Sequence, residues 1–430
     1  MRAAKTADIL KFRTEHLNKL HTINASWNPV RAAHAKGVYF FDTEGNKILD
    51  CVNNVTHIGH CHPEYVRRMG EQFGKLMTNS RYLSEQLDSC VRKILGLMPP
   101  HLTCVAFVTS GSEANDLALQ MASAVTGQKW FTTMEGAYHG QCQSLLDISS
   151  YRFMPDHKLA ENVALTSMPC TYRGKFAGLP NSSELYIAEL EAKLPRDAKP
   201  VFIHENMLSC AGQVIPKPDF FPKVYDFVKG RGGVTISDEV QTGFGRLGTH
   251  FWGFEYFGLK PDIVTIGKAM GNGYPVAAVV CTPEVMEAFS KKVPRFESTF
   301  AGNLPAFVAT ETVIDVIKAE GLQEHALKTG AYLNSKLQSL LKYSFVGDIR
   351  GSGLFQGIEV VEDKTSKAPS EHLAKEIATF LRDRNVLISR DGVFENVMKI
   401  KPPMQFNKEH VDILMDTLTQ ACDHIEAHRK

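Results

Sequence analysis

Short, almost wholly apolar runs alternate with longer amphipathic stretches through the middle of the chain. Val105–Val108, Val201–His204, Val234–Ser237, Ile263–Ile266 and Val276–Cys281 are rich in β-branched residues, the pattern of strands buried on both faces of a sheet. Ser112–Val125 and Phe220–Lys229 carry the helical period between them. The alternation predicts a mainly parallel α/β sheet with helices on both faces. Upstream, Leu10–Leu20 reads as an amphipathic helix, and Gly37–Asp42 with Lys47–Asp50 as two strands around the turn Thr43–Asn46. Asn303-Leu304-Pro305 punctuates the chain before a long helix over Ala306–Glu320. Beyond it the pattern changes to helices and short strands such as Gly353–Val360, with polar Glu362–Pro369 as a surface loop, which predicts a smaller C-terminal α+β domain.

Composition narrows the function classes. The chain has 430 residues, enough for two or three domains at ~100–200 residues each. Hydrophobic residues make up 43% and charged residues 22%, so an ordinary globular core is expected. A net charge of +1 supplies no field directed at nucleic acid or an anionic membrane. The longest apolar stretch, near Pro275–Cys281, falls far short of the ~20 residues a spanning helix needs. Nine scattered cysteines, odd in number and without a Cys-x-x-Cys, favour reduced intracellular thiols over a disulfide framework. The first twenty residues carry Arg2, Lys5, Lys11, Arg13 and Lys19 but also Asp8 and Glu15, and no serine. A mitochondrial presequence and a first surface helix explain them equally, which leaves mitochondrial and cytosolic locations both open.

Two predicted strands end in a charged side chain. Val234–Ser237 delivers Asp238, and Ile263–Ile266 delivers Lys268 through Gly267. An ammonium at the end of a buried strand is costly to desolvate without a partner. Forming a Schiff base with a carbonyl cofactor removes that charge, and desolvation makes the amine more nucleophilic. Pyridoxal phosphate also needs a carboxylate against its ring nitrogen, which Asp238 matches. Ser110-Gly111-Ser112 lies between a strand end and a helix start, where free N–H groups favour an anion, although a serine N-cap is the commoner use of such a residue.

SDEVQTGFGR (Ser237–Arg246) and TIGKAMGNGYPVAAVV (Thr265–Val280) resemble the class III, or ω-aminotransferase, branch of the fold type I pyridoxal-phosphate enzymes. TSGSEANDLAL (Thr109–Leu119), GAYHG (Gly136–Gly140) and STFAGNLP (Ser298–Pro305) fit the same family in the same order, and the resemblance runs from roughly Val38 to the C-terminal helix. Within the family, Asp50–Pro63, Ser209–Phe221 and Lys399–Met404 are most similar to the phospho-lyase subgroup, which acts on phosphoethanolamine and phosphohydroxylysine.

The resemblance implies a large α/β domain, residues 56–305, and a smaller α+β domain assembled from residues 1–55 and 306–430. It implies a homodimer or homotetramer with shared active sites. Lys268 is then the lysine joined to pyridoxal 5'-phosphate and Asp238 the partner of its ring nitrogen. Gly111 and Ser112 hold the cofactor phosphate, Tyr138 stacks on the ring with His139 in support, and Gln241 donates to the phenolic oxygen. Thr299 matches the threonine that reaches the phosphate of the neighbouring subunit's cofactor. Glu205 ends a strand where the family's glutamate lies over the cofactor, but the family's usual glutamate- and proline-rich continuation is replaced by Asn206–Gln213.

The departure with most consequence is Lys399. Class III aminotransferases typically carry arginine three residues before Pro-Pro, where its fork grips a substrate carboxylate. Lysine is a point charge that suits phosphate as well as carboxylate. Lys399, Lys401, Glu205 and Arg81 are the candidate substrate contacts, with a charged surface strand edge the plain alternative for Lys401. The expected substrate is a small phosphorylated amine. Phosphoethanolamine gives acetaldehyde, ammonia and phosphate, and 5-phosphohydroxylysine is the other candidate. The alternative is transamination, as by an alanine–glyoxylate aminotransferase. Two further patterns are set aside. Gly243–Gly248 satisfies a dinucleotide fingerprint but precedes a poor helix, and His57, His60, Cys61 and His62 match no zinc spacing.

Overall fold

The computed structural model describes residues 5–17, 23–151 and 158–429. Near the N-terminus, β1 (Ala32–Lys36), β2 (Tyr39–Asp42) and β3 (Lys47–Asp50) pair antiparallel in succession. The central sheet contains β4 (Cys104–Val108), β5 (Phe131–Met134), β6 (Val163–Thr166), β7 (Val201–Glu205), β8 (Val234–Asp238), β9 (Ile263–Ile266) and β10 (Ala277–Cys281). A third sheet joins β11 (Val346–Ser352) and β12 (Phe355–Val360). From the same C-terminal region β13 (Val386–Leu387) crosses to pair parallel with β3, while β14 (Ser389–Asp391) and β15 (Val397–Ile400) complete the third sheet.

The central sheet has the order β4-β10-β9-β8-β7-β5-β6. All its pairings are parallel except those of β10, which runs antiparallel to both β4 and β9. This is the mostly parallel α/β sheet expected, with one reversed strand. The predicted strands appear within a residue or two of their expected ends. β5 and β6 were not anticipated, because Phe131-Thr-Thr-Met and Val163–Thr166 are too short and too rich in threonine to stand out. The predicted helix Leu10–Leu20 is observed as Thr6–His16, and residues 18–20 of that prediction lie outside the described residues.

Alternate residues of β10 enter different cores. Ala277, Val279 and Cys281 pack on one side, Ala278 and Val280 on the other. Both faces are therefore covered, as a parallel-type sheet requires. The first helix after β4, Gly111–Thr126, is capped by Ser110, whose side chain accepts from the N–H of Glu113, and ends at Gly127 in the left-handed region. The helix Leu304–Ala319 starts at a capping Asn303 with Pro305 in its first turn, and buries one face against the core. No helix among the described residues is long and apolar enough to cross a membrane.

The glycine-rich segment after β8 is a packed turn. Phe244 has φ +61° and Gly245 φ +76°, and a Cβ at Gly248 would lie 2.5 Å from the backbone of Leu327. Buried Arg246 projects from this turn and donates to the carbonyls of Leu354 (3.0 Å) and Pro402 (2.8 Å), with His57 Nδ1 at 3.1 Å. It thus ties the C-terminal segment to the N-terminal one. His60 pairs with Asp50 at 2.8 Å and His62 with Glu320 at 2.8 Å, so these imidazoles serve different contacts.

Arg246→Ala is expected to lower the apparent thermal unfolding midpoint by several degrees. It strands two buried carbonyls, each at a cost of ~1–3 kcal/mol. An unchanged midpoint in a melting experiment would show that water replaces the guanidinium without loss.

Candidate active site

Three neighbouring strand ends define the site. Glu205 at the end of β7 lies in register with Asp238 at the end of β8, and Asp238 with Thr265 of β9. Beyond β9 the chain passes through Gly267 to Lys268. β4 runs parallel to these strands, since both β4 and β9 oppose β10, so Thr109-Ser110-Gly111 opens at the same edge. This is the carboxyl edge of the sheet, where open α/β folds bind ligands. A cleft of ≈ 340 Å³ here is lined by Gly111, Ser112, Tyr138, Glu205, Asp238, Gln241 and Lys268, together with Asn115, His139 and Tyr274.

Asp238 is only 4% exposed. Its Oδ2 accepts from Asn115 Nδ2 at 2.7 Å and His139 Nδ1 at 2.9 Å, and its Oδ1 from the N–H of Val240 at 3.0 Å. Both side-chain donors are themselves held. Asn115 Oδ1 accepts from Thr265 Oγ1 at 2.6 Å, and its amide also donates to the carbonyl of His139 at 2.7 Å. The other imidazole nitrogen of His139 lies 3.2 Å from Thr133 Oγ1. Sequence reasoning missed Asn115 altogether and gave His139 only a supporting part. The signal for Asn115 was a lone amide among the apolar residues Ala114, Leu117 and Ala118 of a buried helix face.

Glu205 is buried beside Asp238. Burial is the main cause that lifts its carboxyl to about 7. His139 opposes the rise and Asp238 adds to it, while the N–H groups of Ser209 (2.9 Å) and Tyr138 (3.2 Å) partly offset the burial. Burial, with nearby Cys210, Asp238 and Glu205, likewise pushes the Tyr138 hydroxyl up to about 12, so the ring enters the cleft as a neutral phenol. Lys268 sits half-buried with φ +37°, a left-handed conformation that costs a non-glycine residue strain.

The opposite end of the cleft presents backbone donors suited to an anion. Gly111 and Ser112 begin a helix of 16 residues, where N–H groups lack intrahelical acceptors. A Cβ at Gly111 would stand 3.1 Å from both Val240 methyls, and one at Gly140 (φ +135°) would lie 2.5 Å from Ser112 Oγ. A side chain is thus excluded at Gly140, and one at Gly111 would press on Val240. Backbone donors, aromatic ring, amide, amine and buried carboxylate together form a donor and acceptor set that fits pyridoxal phosphate.

The remaining expected residues are placed as follows. Lys401 is fully buried, which removes the surface-edge alternative, and its Nζ donates to Ser209 Oγ and, at 2.9 Å, to Gln241 Oε1. Lys399 Nζ is paired with Asp391 at 2.8 Å and lines a neighbouring cavity of ≈ 680 Å³ shared with Asn54, Arg13 and Arg31. Burial lowers its ammonium, but Asp391 and other acidic neighbours outweigh that and raise it overall. Arg81 is exposed and 3.5 Å from Glu297, and Thr299 is exposed; neither lines the cleft of the single chain.

Residues 23–422 match the family model described as aminotransferase class III. The chain is 40% identical over 418 residues to a Drosophila melanogaster protein named alanine–glyoxylate aminotransferase 2-like, covering 94% of this chain and 85% of that one. It is 38% identical over 437 residues to the Caenorhabditis elegans ethanolamine-phosphate phospho-lyase homolog 1, covering 96% and 92%. Among solved structures, an Arthrobacter phospholyase in complex with phosphoethanolamine superposes with a TM-score of 0.89 at 31% identity, covering 97% of this chain and 99% of that one. The chain belongs to the class III aminotransferase family and is a pyridoxal-phosphate-dependent enzyme of fold type I.

Proposed function

We propose that this enzyme is a phospho-lyase that eliminates phosphate from an O-phosphorylated amino alcohol, phosphoethanolamine or 5-phosphohydroxylysine. The observation that carries the reading is the pair of lysines where aminotransferases of the family carry one arginine. Lys399 is held by Asp391 beside the neighbouring cavity and Lys401 is buried against Ser209 and Gln241, so neither position offers a bidentate fork for an α-carboxylate. The likeness to a protein named as a phospho-lyase homolog and to a solved phospholyase supports it further.

When bound, pyridoxal phosphate supplies an electron sink for the substrate carbon that bears nitrogen. In the proposed roles, Gly111 and Ser112 bind its phosphate and Tyr138 orients its ring. Asp238 holds the proton on the ring nitrogen, Gln241 donates to the phenolic oxygen, and Lys268 is the attachment point. Once the substrate amine has taken its place on the cofactor, the freed Lys268 Nζ would take the proton from the substrate carbon. Phosphate on the neighbouring carbon leaves far more readily than hydroxide, which favours its expulsion over return of the proton. With one water, phosphoethanolamine yields acetaldehyde, ammonia and phosphate. Glu205, when protonated, adds no second negative charge beside Asp238. Thr299 stands exposed between Phe296 (45% exposed) and Phe300 (74%), an arrangement in keeping with a proposed homodimer whose sites are shared.

Incubation with phosphoethanolamine or phosphohydroxylysine and no keto acid is expected to release phosphate and ammonia in equal amounts, and Lys268→Ala is expected to release neither. Strict dependence on pyruvate or glyoxylate, without phosphate release, favours the aminotransferase reading that the 40% identity to the Drosophila protein also supports.

Glu205 generates a pH prediction for the cofactor-stripped protein. Its folded carboxyl titrates near 7, above the ~4.3 of an unfolded chain, so between these values the folded state holds a proton the unfolded state lacks. Stability therefore falls as pH rises through that window. Relative to Glu205→Gln, the wild type is expected to lose stability from pH 5 to pH 7, at up to ~1.4 kcal/mol per pH unit. Parallel denaturation curves for the two proteins at both pH values would contradict the raised titration.

A further inference from the structure

Gln241 reaches the cleft wall with its amide held from behind. Its Oε1 accepts from Asn54 Nδ2 at 2.8 Å and from Lys401 Nζ at 2.9 Å. Its Nε2 makes a long contact, 3.8 Å to Cys210 Sγ. Turning the amide over would set its NH₂ against both donors, so the two partners leave one favourable orientation.

The supporting arms are themselves rigid. Lys401 follows β15, its N–H donates to the carbonyl of Cys51 at 2.9 Å, and the next carbonyl, that of Pro402, is taken by Arg246. Its amine lies over the ring of Phe355 at 4.6 Å from the centroid. Asn54 lies just beyond a turn in which Asp50 Oδ1 accepts the N–H groups of Val52 and Asn53, both at 3.0 Å. Burial, reinforced by the charge of Lys399, holds the Lys401 ammonium well below the usual lysine range. The contact survives deprotonation, because a neutral amine still has two hydrogens for its two oxygen partners, Ser209 Oγ and Gln241 Oε1.

We propose that Lys401 and Asn54 are positioning residues that lock the Gln241 amide so that its NH₂ faces the cleft as a fixed donor to an anionic oxygen of the bound cofactor. A buried lysine is then used to orient a neutral amide, and the cleft meets the cofactor with a hydrogen-bond donor in place of a second cation. The inference goes beyond the reaction assigned above. It rests on cofactor binding alone and is the same for elimination and transamination.

The test is a double-variant cycle on the purified full-length enzyme, stripped and then titrated with pyridoxal phosphate, with the visible absorption band of the reloaded holoenzyme as a second readout. Gln241→Ala and Lys401→Met are each expected to weaken cofactor binding about three- to tenfold, the range of one or two lost hydrogen bonds, and to shift the band alike. Combining them is expected to add nothing further, because Lys401 acts through Gln241. Asn54→Asp turns a donor into an acceptor at constant volume, so it provides an independent arm and should shift the band in the same direction. An unchanged affinity and band in Lys401→Met overturns the proposal. So does an effect of Lys401→Met that persists undiminished in the Gln241→Ala background, since that marks a direct or general structural role. An Asn54→Asp protein indistinguishable from wild type likewise overturns the clamp.

Discussion

Asp238 brings its carboxylate into the floor of a cleft where water cannot compensate it, and the surrounding architecture follows from that demand. A buried carboxylate is tolerated only when donors replace its hydration. One donor comes from the helix after β4, one from the loop after β5, and one from the residue two places on in its own chain. The helical donor, Asn115, does more than neutralise. It fixes the helix Gly111–Thr126 against β8 and, through Thr265, against β9. The N–H groups of Gly111 and Ser112 are one turn away on that helix. A single amide therefore sets the distance between the start of that helix and the buried carboxylate, the two ends that a cofactor held in the proposed way would span.

A second buried acid organises the opposite wall. Glu239 follows Asp238 directly and accepts from the N–H groups of Gly253 and Phe254 and from Asn206 Nδ2, each at 2.8 Å, as well as from Thr242 Oγ1 at 2.8 Å. Burial still lifts its carboxyl to about 7 despite those donors. This acid closes the segment between β8 and the short helix at Gly253, and Gln241 lies inside that closed segment. Consecutive acids thus divide the work: Asp238 faces the cleft, and Glu239 fixes the turn that carries the next cleft residue.

Much of this was legible in the sequence because strand ends and helix starts are local features. Asp238, Lys268, Gly111 and Ser112 could be placed from short apolar runs and the turns that follow them, and the motif order identified the family. Features set by distant contacts were not legible. Lys401 reads equally as a substrate contact and as a surface charge until the fold brings Ser209, Gln241 and Phe355 around it. Asn115 looks like any helix asparagine, since its partner Asp238 is more than a hundred residues away. Thr299 and Arg81 belong to exposed segments outside the cleft of one chain, so the fold of that chain does not bring them to the residues their motifs were read with.

The most direct test of the central claim is the protonation state of the cofactor's ring nitrogen. Holoenzyme prepared with pyridoxal phosphate labelled with ¹⁵N in the ring can be examined by NMR beside Asp238→Asn prepared in the same way. If the buried carboxylate and its three donors hold a proton on that nitrogen, the wild type shows a pyridinium shift and the variant shows an unprotonated pyridine. An unprotonated nitrogen in the wild type, or an identical shift in both proteins, contradicts the account.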